Sequence, residues 1–501
     1  MTDLNRSMFR ANDIRTPAAR LTEGYARRLA RAEAVYFLDN LGVAGVVVAH
    51  DARASGPYML EVAVEEYIRA GLDVIVLPGV SGSCLLYYAA MRHPDLAAVM
   101  FGASHNPSGD TGRKIVGPGV RPIAQGIGAA GGLTRIEQLY IEGVRREAPV
   151  RGRIMAFDPI PGYVAYSLKE AGVEPGSLRR LHILHDYVYG AGGRELMLGF
   201  APTGARLTPL HYAADGQFRL GDPNPVKQDV ISQAIEALRT GEYDLGMLYD
   251  GDADRLDLYL GDRGLLASSF AFAAFLPLLL RHVRQRPATV LVDAKSNPLA
   301  ILEMVRSGVS VDLTPSGHSR IKETMYQRSE ILGVVEESAH YYRPFMLDGM
   351  RFCTENTLYF SLLAARCLRE TPERFTRMAQ LQASTARERE WGHVFPNDSL
   401  REEALEAVVR FYRDQGAQII QTASDGLPLG GDLLRFGIPE HPSAETAIPD
   451  TWLQISQRAS QSEDHLARWE ASGSDKAIVA DAKATVQRII RTHQAGPEYQ
   501  G

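Results

Sequence analysis

Cysteine is scarce. The chain of 501 residues has three, Cys84, Cys353 and Cys367. They are widely spaced and form no metal or redox motif, which suits a reducing cytoplasm. An excess of one charge is missing too. Lys and Arg total 54, Asp and Glu 60, a net charge of −6, which leaves no basic footprint for nucleic acid. Long apolar runs are also absent. The most apolar stretch, Leu265 to Leu280, contains two serines and Pro277 and falls short of the ~20 residues a membrane span needs. It reads as a buried helix, so no membrane partner is expected. The opening Met-Thr-Asp-Leu-Asn-Arg-Ser carries no signal-peptide pattern, and a cytoplasmic location is expected. What remains is a soluble composition, 45% hydrophobic and 23% charged. The length predicts about three or four domains.

Two stretches carry chemistry. Phe101-Gly102-Ala103-Ser104-His105-Asn106-Pro107 follows an apolar run, Leu96 to Met100, that reads as a strand. Ser104 is thereby placed on a rigid loop at a strand's C-terminal end, where α/β sheets put their chemistry. A serine alone is a weak nucleophile and needs a base, a metal or a phosphoryl group. The second stretch is Asp250-Gly251-Asp252-Ala253-Asp254-Arg255, between the strand-like runs 245–249 and 256–260. Three carboxylates at alternate positions repel unless a cation neutralises them. Hard oxygen ligands suit Mg²⁺, which leaves coordination positions for a phosphate. An EF-hand is excluded, because Arg255 and Gly261 stand where glycine and glutamate are required.

Together, Ser-His-Asn-Pro and the later Asp-Gly-Asp-Ala-Asp-Arg resemble the α-D-phosphohexomutase superfamily, the phosphoglucomutase/phosphomannomutase enzymes. The resemblance implies an isomerase-class phosphomutase that interconverts sugar 1- and 6-phosphates through a phosphoserine and a bisphosphate intermediate. Ser104 would carry the phosphoryl group, and Asp250, Asp252 and Asp254, with Ser104, would hold Mg²⁺. Other segments align in order. Phe9 to Arg15 resembles the opening motif, whose final arginine, Arg15, reaches the active site. Thr111-Gly112-Arg113-Lys114 makes Lys114 a candidate for acid/base or electrostatic work, and Arg255 would neutralise shifting charge. Thr314 to Ser319 resembles the Gly-His-Ser loop, making His318 a proton-transfer candidate. Glu336-Glu337-Ser338-Ala339-His340 resembles the sugar loop Gly-Glu-x-Ser-Gly-His. Glu336, Ser338 and His340 match it, whereas Val335 and Ala339 replace its glycines. Lys295, after the strand Thr289 to Asp293, is a further substrate-binding candidate. Arg458-Ala459-Ser460-Gln461-Ser462-Glu463-Asp464 is the nearest match to the distal phosphate loop, with Arg458, Ser460 and Ser462 retained and the glycine and proline lost.

The pattern along the chain is consistent with that fold. Alternating strands and helices predict α/β units with largely parallel sheets. The expected architecture is three similar α/β units with mixed sheets plus a smaller C-terminal α+β domain around a central cleft. Its boundaries fall at 1–155, with the serine loop, 156–263, with the metal loop, 264–373, with the sugar loop, and 374–501, the least regular part. Asp222-Pro223-Asn224-Pro225 reads as a rigid linker into a helix near Gln228 to Arg239. Gly126-Ile127-Gly128-Ala129-Ala130-Gly131 fits a dinucleotide fingerprint, but no strong strand precedes it and no acidic residue ends a second strand about 20 residues later, so it reads as a loop.

Expected ligands are a small sugar phosphate, Mg²⁺ and a sugar bisphosphate activator, on a monomer or homodimer. Two alternatives within the family are a relative acting on an unusual sugar or cyclitol phosphate and a non-catalytic binding or regulatory relative. A haloacid-dehalogenase phosphatase would also use Asp-x-Asp, but Asp254 occupies its Thr/Ser position and Ser104 would be idle.

Overall fold

The computed structural model describes residues 4–283, 287–439, 441–460 and 463–499. Its contacts divide the chain into two units. One comprises Met1–Leu265, Gly317–Ser329 and His340–Arg369; the other comprises Leu266–Ser316, Glu330–Ala339 and Glu370–Gly501.

The first unit begins with a seven-stranded mixed sheet: β1 (Ile14–Pro17), β2 (Gly45–His50), β3 (Asp73–Val80), β4 (Ala97–Phe101), β5 (Asp110–Gly117), β6 (Arg121–Ile123) and β7 (Ile154–Ala156). The order is β1-β5-β4-β2-β3-β7, with β6 on β5. β2 and β4, Gly-Val-Val-Val-Ala-His and Ala-Ala-Val-Met-Phe, are near-continuous apolar runs, as parallel strands covered on both faces require. Helices Glu23–Val35, Gly56–Arg69 and Ser83–Arg92 follow β1, β2 and β3 in the chain. Register then sets the site. β2 and β4 run parallel with His50 beside Phe101, so the loops after both strands emerge together. β5 is antiparallel to β4 with Lys114 opposite Met100, which brings the lysine to the same sheet end.

A second sheet in this unit comprises β8 (His182–Asp186), β9 (Arg206–Leu210), β10 (Leu245–Tyr249), β11 (Leu256–Tyr259) and β12 (Leu265–Leu266), in the order β12-β11-β10-β8-β9. β10 and β11 pair antiparallel from Tyr249 opposite Leu256, so the acidic motif is the tight connection between two buried strands. The helix expected at Gln228 to Arg239 is shorter, Ser232–Leu238. Asn224 accounts for the late start, since its carbonyl and side chain accept from the Lys227 and Val226 amides and hold the chain in turns.

The second unit has three parallel strands, β13 (Ala288–Val292), β14 (Val309–Leu313) and β15 (Ile331–Glu336), in the order β14-β13-β15. Helix Ser268–Leu279 is buried at all but one position, as its apolar composition on every face predicts. The hairpin β16 (His340–Leu347) and β17 (Met350–Glu355) pairs antiparallel and belongs to the first unit. The C-terminal part, expected to be the least regular, is an ordered antiparallel sheet. Its strands are β18 (Ala386–Val394), β19 (Gln418–Thr422), β20 (Pro428–Phe436), β21 (Leu453–Ala459), β22 (Leu466–Gly473) and β23 (Glu498–Tyr499), in the order β19-β20-β21-β22-β18-β23. Helices Asp398–Asp414 and Lys476–Arg491 pack their apolar faces on it around Trp469, Ile455 and Val486. β18 has an irregular register against β22 between Glu388 and Trp391, a bulge.

Candidate active site

Ser104 lies just beyond β4 and is buried. Its φ of +50° is left-handed, a conformation that costs a non-glycine residue energy and is kept only when the surroundings enforce it. Asp51 and Arg53, from the loop after β2, provide that enforcement. The Asp51 carboxylate accepts from the Ala103 amide at 3.1 Å and pairs with Arg53 at 3.2 Å. Arg53 donates to the carbonyls of Ser104 at 2.8 Å, Asn106 at 2.6 Å and Pro107. Glycine is required at 102, because a Cβ there would fall 2.3 Å from the Asp51 carboxylate. From β1, Arg15 pairs with Asp13 at 2.8 Å and donates to the Ala103 carbonyl at 3.3 Å and to the Asn106 side chain.

The acidic loop meets this serine. Ser104 Oγ donates to Asp250 Oδ2 at 2.9 Å. The loop approaches so closely that a Cβ on Gly251 would lie 2.6 Å from the Ser104 carbonyl. Pro223 supports it from behind, its carbonyl accepting from the Gly251 amide at 3.0 Å. Asp250, Asp252 and Asp254 are all buried, and each offers an oxygen within 4.8 Å of the others. Lys114 Nζ sits 2.6 Å from both Asp252 Oδ2 and Asp254 Oδ2, and Ser83 Oγ donates to Asp252 Oδ2 at 2.5 Å.

The electrostatics follow from crowding. Burial, then Asp254 and Asp252, push the Asp250 carboxyl well above the usual range. Burial opposes ionisation of Asp252 as well, yet Lys114 holds it below the usual range. Burial would lower Lys114, but Asp252 and Asp254 keep its ammonium protonated far above the usual lysine value. Asp252 Oδ1 and Asp254 Oδ1 are buried with no hydrogen-bond donor among the described residues. Buried carboxylate oxygens whose charge is only partly offset by Lys114 and Arg255 fit a hard divalent cation.

Arg255 bridges two imidazoles, with Nη2 2.8 Å from His105 Nδ1 and Nε 3.2 Å from His340 Nε2. It lies 3.8 Å from Asp250. His340 Nδ1 is 3.8 Å from Asp254, so this histidine stands at the acidic loop. His318 opens helix His318–Gln327, and burial, then Lys322, push its imidazole well below the usual value, leaving it neutral.

The second unit holds the other candidates. Glu336 is buried at the end of β15, and Ser338 is partly exposed on the following turn. Glu337, between them, pairs with Arg387 at 2.9 Å and accepts from the Ser269 amide at 3.2 Å. Lys295, Arg458 and Arg468 line one open cavity, and Ser460 donates to the Glu463 carboxylate. Ser462 lies outside the described residues.

Two family models match the chain, phosphoglucomutase/phosphomannomutase α/β/α domain I over residues 6–127 and domain II over 161–262. An Escherichia coli phosphomannomutase is 27% identical over 386 residues, covering 73% of this chain and 81% of its own. A Neisseria gonorrhoeae phosphoglucomutase is 28% identical over 344 residues, covering 68% and 71%. A crystal structure of a phosphoglucomutase/phosphomannomutase family protein from Burkholderia thailandensis shares the fold, with a TM-score of 0.78 over 98% of both chains at 19% identity. Residues 6–127 and 161–262 thus carry the first two domains of the phosphoglucomutase/phosphomannomutase family, and the chain as a whole shares its fold.

Relatives named for mannose and for glucose match at similar identity, so no one sugar is singled out. Three contributors were not named as site residues from the sequence. Ser83 sits at a helix start with nothing in its neighbours to mark it. Pro223 acts through its carbonyl, which any residue has. Arg53 did carry a signal, a charged pair two residues apart directly after an apolar strand.

Proposed function

We propose that the chain is a phosphosugar mutase in which Ser104 carries the transferred phosphoryl group. The observation that carries this reading is the hydrogen bond from Ser104 Oγ to Asp250 within a buried three-carboxylate cluster. In the first half-reaction the P–O bond to Ser104 breaks and a P–O bond to a free sugar hydroxyl forms. The hydroxyl's proton leaves to a base, and the serine oxygen regains one. The bisphosphate then turns over, and its other phosphoryl group returns to Ser104 with the same bonds exchanged. Mg²⁺ bound by Asp250, Asp252 and Asp254 would supply charge neutralisation.

The chain's own residues do the rest. Arg53 and Asp51 fix the serine loop from beneath, so the nucleophile is positioned before substrate arrives. Arg255, fixed between two imidazoles, stabilises charge on the moving phosphoryl oxygens. Lys114, beside Asp252 and Asp254, is assigned to electrostatic or acid/base work at the phosphoryl group. His318 is assigned to proton transfer. Glu336, Ser338 and His340 are assigned to sugar hydroxyls, and Lys295, Arg458, Ser460 and Ser462 to the non-reacting phosphate.

Intact mass and peptide mapping test the assignment. Protein incubated with a sugar bisphosphate should carry one phosphate on the Ser104 peptide. Ser104→Ala should lose that mass and at least ~10³-fold in turnover, about 4 kcal/mol of barrier. Full turnover by this variant would sink the reading.

A further inference from the structure

The Lys295–Arg458–Arg468 cavity is already filled with internal anions. Glu390 Oε2 lies 3.0 Å from Arg458 Nη2 and 3.7 Å from Lys295 Nζ, and its Oε1 lies 2.9 Å from Arg468 Nη1. One carboxylate therefore engages all three cations. Arg468 is shared again with Glu463 at 2.8 Å. Asp432 lines the same cavity and accepts from Gln421 and Gln457 at 2.7 and 2.8 Å. Asp293 lies 3.9 Å from Lys295 as well, so three positive groups meet four negative ones where a phosphate would require a surplus of positive charge. Burial disfavours the charged form of Glu390, but Arg458, Lys295 and Arg468 hold its carboxyl well below the usual range. Its position is built into the strand. Glu390 sits in the β18 bulge, where the register slips between Glu388 and Trp391. A bulge inserts an extra residue and re-aims its neighbours.

We propose that Glu390 is a built-in competitor for phosphate. It occupies the anion position of the Lys295–Arg458–Arg468 cluster, and a phosphate group binds there only by displacing it. Glu390 is thus a specificity-determining residue that weakens the hold on a ligand's terminal phosphate. The ligand class rests on the phosphosugar-mutase reading above, but the competition is measurable without turnover.

Inorganic phosphate is titrated calorimetrically into the full-length protein at fixed ionic strength, for wild type, E390Q and E390D. E390Q keeps the side-chain size and removes the charge, and it should bind phosphate roughly tenfold tighter or more. E390D retracts the carboxylate by one methylene and should show a smaller gain. Adding R458Q to E390Q should abolish the gain, which places the phosphate in this cavity. If E390Q fails to fold, E390D decides. Equal or weaker phosphate binding in the folded variants overturns the proposal, as does a gain that survives R458Q. A portion of each protein, incubated separately with a sugar bisphosphate, is mapped for the Ser104 phosphopeptide. Its absence would count against the mutase reading alone, and unchanged phosphate affinity against Glu390 alone.

Discussion

Ala339 shows what a single residue contributes. It is buried, with φ of +71°, left-handed backbone that costs an L-residue roughly 1–2 kcal/mol. Its amide donates to the Glu336 carbonyl at 3.0 Å, closing the turn that carries Ser338. Glycine would relieve the strain but lose a buried methyl and add unfolded-state entropy, each worth about 0.5–1 kcal/mol. Ala339→Gly should therefore be neutral within about 1 kcal/mol by urea unfolding. Ala339→Val, branched at Cβ and unable to take this φ, should lose more than ~2 kcal/mol. Equal stability of the two variants would refute the assigned turn. Asp252 makes a second case. Asp252→Asn removes one of the two carboxylates on Lys114 and a proposed metal ligand. Mg²⁺ affinity by calorimetry should fall at least ~tenfold while far-ultraviolet dichroism is retained; unchanged affinity contradicts the metal assignment.

At the scale of elements, the site depends on helix ends held by distant residues. Glu195, on helix Gly193–Phe200, accepts from the Gly82 amide at 2.9 Å, just before helix Ser83–Arg92, which brings Ser83 to Asp252. Burial pushes its carboxyl from the ordinary 4.5 up to about 7, partly offset by backbone amides. The folded state therefore holds this proton more tightly than the unfolded chain. The associated stability is full below about pH 4.5 and is lost as pH rises through about 7. Glu195→Gln keeps an acceptor and removes the titration. It should gain stability over wild type between pH 5 and pH 8, by at most roughly 3 kcal/mol. Asp293, also pushed up to about 7 by burial, titrates in both proteins and cancels in the difference. Parallel stability–pH curves would remove Glu195 from this role. The same contacts show what a sequence displays and what it hides. Ser104 and the three aspartates were legible because each motif is contiguous and flanked by apolar strands. Ser83, Glu195 and the carbonyl of Pro223 come from other segments and act only after folding. Glu390 was hidden for another reason: a bulge leaves no mark in a strand's alternation.

For the whole molecule, the two units differ in how closely they follow the family pattern. The first holds both matched domain models and the intact serine and metal motifs. The second holds the segment proposed for the distal phosphate, in which Gln461 and Asp464 stand where the family motif has glycine and proline. Its three cations are already paired with Glu390 and Glu463. Chemistry at Ser104 can be fully competent while the hold on an ordinary hexose phosphate is weak. Binding energy away from the reacting bond normally pays for orientation, so weakening it lowers kcat/KM even when the nucleophile is intact. Glucose 1-phosphate and mannose 1-phosphate are therefore expected not to be both excellent substrates, despite phosphorylation of Ser104. Steady-state kinetics with a bisphosphate activator, on a panel of sugar and cyclitol phosphates, measure this directly. Values near ~10⁶ M⁻¹s⁻¹ for both sugars, well inside the normal enzyme range, would show that the internal carboxylates cost nothing. A low value for both, raised by E390Q through KM more than kcat, is the outcome that a competing carboxylate in the second unit requires.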